Sequence, residues 1–195
     1  KTSVNLAEQW KQVDALHFSL INLSKALAAD RNLEAALTIN QRAARLAAQV
    51  SPWFYRISLC NEIWLNVVKG DYSAATHVLE TLKPQVDERN KQYIFLVYQL
   101  SLLLALGRFQ EILAKIADRQ ANLASSDMDW YWMHLLPLQA LALQGLGCEG
   151  EALYVIGRCL ELAKPEGWVR IFVDQGEAML ELLKSALNRG IEPDY

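Results

Sequence analysis

Histidines, cysteines and a glycine-rich hexapeptide are where this 195-residue chain could do chemistry. His17, His77 and His134 are its three histidines. None stands at metal-ligand spacing from a second His, Cys or carboxylate in a matching repeat. Neither His-Glu-x-x-His nor Gly-x-Ser-x-Gly occurs. Without a convergent acid, base and nucleophile, the chain reads as a non-enzyme with no metal and no cofactor. Cys60, Cys148 and Cys159 are an odd number with no redox or metal spacing. They read as small core thiols in a reducing cytoplasm. Gly145-Leu-Gly-Cys-Glu-Gly150 matches Gly-x-Gly-x-x-Gly, but dinucleotide binding needs a strand before it. Residues 135–144 read as helix, so these glycines read as a turn between helices. No Gly-x4-Gly-Lys-Ser/Thr phosphate loop is present.

The elements that would position any site repeat along the chain. Arg31, Gly70, Gly107 and Gly147 are anchors spaced by 39, 37 and 40 residues. Each follows one long apolar stretch and precedes another. Five residues after the anchors lie Ala36, Ala75, Ile112 and Ala152. Apolar residues in the second stretches recur at steps of three and four, as in Ala36, Ile39, Ala43, Leu46, Ala47 and Val50. That step marks one face of an α-helix. The spacing predicts first helices near 12–29, 53–69, 91–106 and 128–144, with partners near 32–49, 72–88, 109–124 and 149–163. Glycine suits the tight turn because it adopts positive φ without a Cβ clash. Arg31 departs from this, and Asp30 or Asn32 is expected to supply that turn instead. Ser51-Pro52 and Ser126-Asp127 read as helix starts, Pro165 as a stop, and Pro137 as a kink or break within a first helix. Residues 164–174 break the repeat, and Gln175 to Arg189 read as a short amphipathic helix. A helix pair of this size cannot bury its apolar face alone, so neighbours must stack. The expected fold is all-α: a right-handed α-solenoid of about four helix pairs plus a C-terminal capping helix. It is expected as a single domain over 1–195, with 164–195 as repeat-breaking loop and terminal helix.

Composition narrows the function. Lys plus Arg is 19 and Asp plus Glu is 22, a net charge of −3. Such a balance has no overall pull on phosphate backbones, so direct nucleic-acid binding is not expected. The longest nearly apolar run, Ile94 to Leu106, contains Gln99 and Ser101 and is too short to span a bilayer, so no membrane role is expected. The chain opens at Lys1 without an initiator Met and is read as a piece of something longer.

The segments Gly70-Asp-Tyr-Ser-Ala-Ala75 and Gly107-Arg-Phe-Gln-Glu-Ile112 resemble the turn motif of tetratricopeptide repeats, at a longer period than usual. The tail is more specific. Glu151-Ala-Leu153, Leu160-Glu-Leu-Ala163, Pro165-Glu-Gly-Trp-Val-Arg-Ile-Phe-Val-Asp174, Gly176-Glu-Ala-Met179 and Leu182-Leu183 resemble the end of one superhelical domain. That domain belongs to MalT-type, LuxR-family ATP-dependent bacterial transcriptional regulators. In that family it follows a signal-transduction ATPase and precedes a helix-turn-helix domain, and it senses an inducer or regulatory protein. The resemblance implies a sensor piece alone, with the ATPase and DNA-binding domains of the same full-length chain as its partners.

Two sets of side chains stand out against this frame. Trp53-Phe-Tyr55 and Trp130-Tyr-Trp132 occupy the same phase before their anchors. Adjacent helical residues point about 100° apart, so three rings cannot share one buried face. Either they pack between repeats with one ring half-exposed, or they form a shelf for a sugar, another flat ligand or a partner side chain. Nine residues before the anchors lie Asn22, Asn61 and Tyr98, and eight before lie Glu62, Gln99 and Gln139. These polar groups interrupt apolar first helices, which in tetratricopeptide-like solenoids line the concave surface. They form either a solvated stripe or a groove that selects a ligand by hydrogen bonds. The candidate ligand- or partner-binding residues are Tyr55, Asn61, Glu62, Tyr98, Gln99, Trp132 and Gln139, with Arg56 and His134 as extensions. Two functions use this surface: sensing of a small-molecule inducer or regulatory protein, or plain protein–protein scaffolding with no small-molecule sensing.

Overall fold

The computed structural model describes residues 2–9, 12–83, 93–121, 128–192 and 194. Among the described residues there are helices and no strand. In chain order they are α1 (Thr2–Gln9), α2 (Val13–Ala29), α3 (Leu33–Ala48), α4 (Pro52–Lys69), α5 (Tyr72–Leu82), α6 (Tyr93–Ala105), α7 (Phe109–Ala121), α8 (Met128–Gly145), α9 (Glu149–Ala163), α10 (Arg170–Val173) and α11 (Glu177–Asn188). The eight repeat helices and the tail helix fall where the periodicity puts them. The expected ends of α5 at 88 and α7 at 124, and the Ser126-Asp127 start, lie outside the described residues. Helix α4 does begin at Pro52, whose missing N–H is no loss in a first turn. Helix α8 runs undivided through Pro137, contrary to a break there. It packs against α7, α9, α10 and α11, and that surrounding contact holds the helix together across one absent hydrogen bond.

The four anchors close identical turns. Each anchor N–H donates to the carbonyl three residues back: Arg31 to Ala28 and Gly70 to Val67 at 3.0 Å, Gly107 to Leu104 at 3.0 Å, Gly147 to Gln144 at 2.9 Å. The next N–H reaches five residues back, from Asn32 to Leu27, Asp71 to Asn66, Arg108 to Leu103 and Cys148 to Leu143, each at 2.9 Å. This pair of bonds is the Schellman motif, and it requires a left-handed residue at the anchor. Gly70, Gly107 and Gly147 have φ of 81°, 70° and 77°. The first turn corrects the sequence expectation: Arg31 itself is left-handed, with φ 59°. The bond register fixes the anchor position whatever its side chain, while Asn32 is occupied capping α3, its side chain accepting from Ala35 N at 3.3 Å. Asp71 caps α5 in the same way, accepting from Ala74 N at 3.0 Å.

The chain packs as two compact units, residues 1–102 and 103–195. In the first, each helix from α1 to α5 packs on its neighbour in sequence, and α2 also packs on α4. Contact between the first helices of successive hairpins is what tandem stacking requires. Its core is a series of clusters. Leu20, Ile21 and Ala43 join α2 to α3, with Ile57 of α4 against them. Ala28, Ala36 and Leu65 join α2, α3 and α4. Leu59, Cys60, Ile63, Ala75, Leu79, Leu82 and Leu102 join α4, α5 and α6. In the second unit α8 is the centre, so its Leu135, Leu136, Leu138, Leu141 and Leu143 are all buried, on more than one side of the helix. No helix among the described residues is long and apolar enough to cross a membrane.

Candidate functional site

Tyr55, Asn61 and Glu62 lie on α4, Tyr98 and Gln99 on α6, Trp132 and Gln139 on α8. The first five belong to the first unit and the last two to the second. Tyr55, Glu62, Tyr98, Gln99 and Gln139 are half-buried and present an edge to solvent. Tyr55 and Tyr98 both rest on the Leu59–Cys60–Ile63 cluster. Burial holds the Glu62 carboxyl above its ordinary value, because a half-desolvated carboxylate loses hydration.

Asn61 and Trp132 are placed differently. Trp132 is packed away at 8 % exposure. Asn61 is fully buried, and its Nδ2 donates to Ser24 Oγ at 2.8 Å and to Asn40 Oδ1 at 2.9 Å. Asn40 Nδ2 in turn donates to the Ser58 carbonyl at 3.1 Å. Ser58 Oγ donates to the Phe54 carbonyl at 3.3 Å and sits 2.9 Å from His17 Nε2. His17, Ser24, Asn40, Ser58 and Asn61 are all fully buried and tie α2, α3 and α4 together. The polar residue that interrupts the apolar pattern at position 61 is therefore a core fastener and is not presented to a ligand.

The first aromatic triplet divides three ways. Trp53 is exposed, with the Arg56 guanidinium 5.9 Å from its ring centre. Phe54 turns inward and stacks on His17, centroids 5.0 Å apart and planes 17° apart. Tyr55 borders a surface notch of about 340 Å³ with Gln41, Ala44, Arg45 and Ala48 of α3. Those four α3 residues share one helix face, and the two alanines make the room. They fall outside the candidate stripe, which lies on first helices, whereas α3 is a second helix. The signal was present as small residues at 44 and 48 between long polar ones. The side chains of Trp130 and Tyr131 lie outside the described residues. His134 lies half-buried beside Trp168, ring centroids 6.2 Å apart.

The glycine hexapeptide has packing reasons. A Cβ on Gly145 would sit 2.5 Å from the Phe109 ring, Gly147 is the left-handed anchor, and Gly150 lies in the first turn of α9 with open space around it. Cys60 and Cys159 are buried and their thiols are pushed up to about 12, chiefly by desolvation, which makes them poor nucleophiles.

No curated protein and no solved structure matches the chain. A family model does, described as the MalT-like TPR region, and its match spans residues 1–189. The helix pairs, their repeated Schellman turns and this near-complete match agree: the chain belongs to the MalT-like TPR region family.

Proposed function

We propose that the chain is the effector-sensing and interaction domain of a LuxR-type, ATP-dependent bacterial transcriptional activator. The observation that carries this reading is the family match over residues 1–189. Half-buried polar side chains on the first helices support it: Tyr55, Glu62, Tyr98 and Gln99 in the first unit and Gln139 in the second. An inducer or regulatory protein held on these helices would favour one packing of the domain over another. That difference in affinity is what transmits a signal to the ATPase and DNA-binding domains of the full-length regulator. In this reading the chain works in the cytoplasm, carries no catalytic group, needs no cofactor, and leaves DNA contact to another domain.

A thermal-shift screen of common metabolites and of candidate regulatory proteins tests this. Binding to the native state raises Tm by mass action. The expected hit loses its shift in Tyr55→Ala or Glu62→Gln. Partners captured in pull-down with no metabolite shift would instead favour a plain scaffold, and no shift from either library would contradict the proposal.

A further inference from the structure

His17 belongs to no candidate site, yet it is an ionisable group fully buried in the first unit. Its ring is fully buried, stacked on Phe54 of α4 and met edge-on by Phe18 at 5.3 Å. Ser58 has one hydroxyl proton, and it goes to the Phe54 carbonyl. Ser58 Oγ and His17 Nε2 share a hydrogen bond of 2.9 Å, whose direction depends on the ring tautomer. Nδ1 is buried with no hydrogen-bond partner. A neutral ring tolerates this at modest cost. A protonated ring would put a positive charge and a second N–H donor out of water, against the rings of Phe18 and Phe54.

The charges around it do not compensate. Asp14, one turn earlier on α2, and the Phe54 carbonyl both favour the charged ring, but burial outweighs them and holds the imidazole below its ordinary value. Glu8 of α1 and Arg42 of α3 are bonded to each other. The Arg56 guanidinium of α4 lies over Trp53, 5.9 Å from its ring centre. The same ring also holds α2 to α4 through Ser58, whose carbonyl anchors Asn40 and, through it, Asn61.

We propose that His17 is an acid-sensitive latch between α2 and α4: neutral, it closes the buried network, and protonated, it opens the first unit while leaving α8 and α9 packed. The sign follows from linkage. The unfolded chain takes up a proton near the ordinary histidine value of 6.5 and the native chain does not, so stability is full above that value and declines below it. One such proton lowers the folding equilibrium constant by up to about tenfold per pH unit.

The test is NMR of the wild-type chain from pH 8 to pH 5, with free imidazole added as internal reference and amide exchange recorded along the sequence. The expected result is that the folded-state His17 ring signals keep their neutral positions while those of the added imidazole move, and that exchange in α2 and α4 accelerates with acid more than in α8 and α9. Unfolding of His17→Gln, which keeps a donor to Ser58 but cannot titrate, should lack the wild-type's extra loss of stability below about pH 6.5. The latch is overturned if His17 titrates together with the added imidazole in a chain whose α2 and α4 protection is unchanged. It is equally overturned if His17→Gln loses stability with acid as steeply as the wild type. Should that variant not fold, the wild-type titration and exchange decide the matter alone.

Discussion

Asn61 and Glu62 are neighbours in sequence with opposite situations. Asn61 spends both of its amide protons inside the protein, on Ser24 and Asn40. Asn61→Ala leaves Asn40 Oδ1 without its donor in a closed core, and should cost about 2 kcal/mol in urea unfolding with an unchanged m-value. Glu62 is half-buried, and its carboxyl is raised by desolvation. The native chain therefore holds a proton at Glu62 that the unfolded chain has already released, and stability falls as pH rises from about 4.5 through that window. Glu62→Gln removes the effect. It should raise Tm at pH 7 by roughly 1–2 °C, with the gain vanishing below the ordinary carboxyl value. A Tm for Glu62→Gln below wild type at pH 7 would show that the carboxylate has a native partner. Sequence position alone could not separate these two residues, because both simply interrupt an apolar helix. Which of the two is enclosed depends on α2 and α3, some 20 to 40 residues earlier in the chain.

At the scale of elements, the turn is the unit that repeats most faithfully. Its two backbone bonds recur at Arg31, Gly70, Gly107 and Gly147, and again at Gly167 and Gly190, which close α9 and α11. Glycine made three of the six legible, Gly70, Gly107 and Gly147, together with apolar steps of three and four on either side. Arg31 was not legible as a left-handed residue, since nothing in its chemistry favours positive φ. Its Cβ is strained there by about 1 kcal/mol. Arg31→Gly should therefore raise stability by up to about 1 kcal/mol, and Gly107→Ala should lower it by a similar amount. Calorimetry on the two variants and their double mutant checks this, and the effects should add because the turns share no partner. Short elements escaped the sequence reading for a simple reason. Helices α1 and α10 are 8 and 4 residues long, too short to show a helical apolar period. Pro137 does not divide α8, because a helix enclosed by four others is held by them.

For the whole molecule, the order of helices, the pairing of α2 with α3, α4 with α5 and α8 with α9, and the tail were readable because tandem hairpins write their period into the sequence. The candidate site was readable only as a register. Five of seven residues keep an edge toward solvent, while Asn61 and Trp132 are enclosed, and the notch beside Tyr55 draws on a helix the register did not indicate. The sensor reading rests on membership in the MalT-like TPR region family over residues 1–189. Its most direct test replaces the corresponding region of a full-length regulator of that family with these residues and follows transcription from the regulator's own promoter. The account predicts that the chimera still binds its promoter but no longer answers the original inducer. A chimera that responds to the original inducer as before would contradict it, because the signal would then be read elsewhere in the protein.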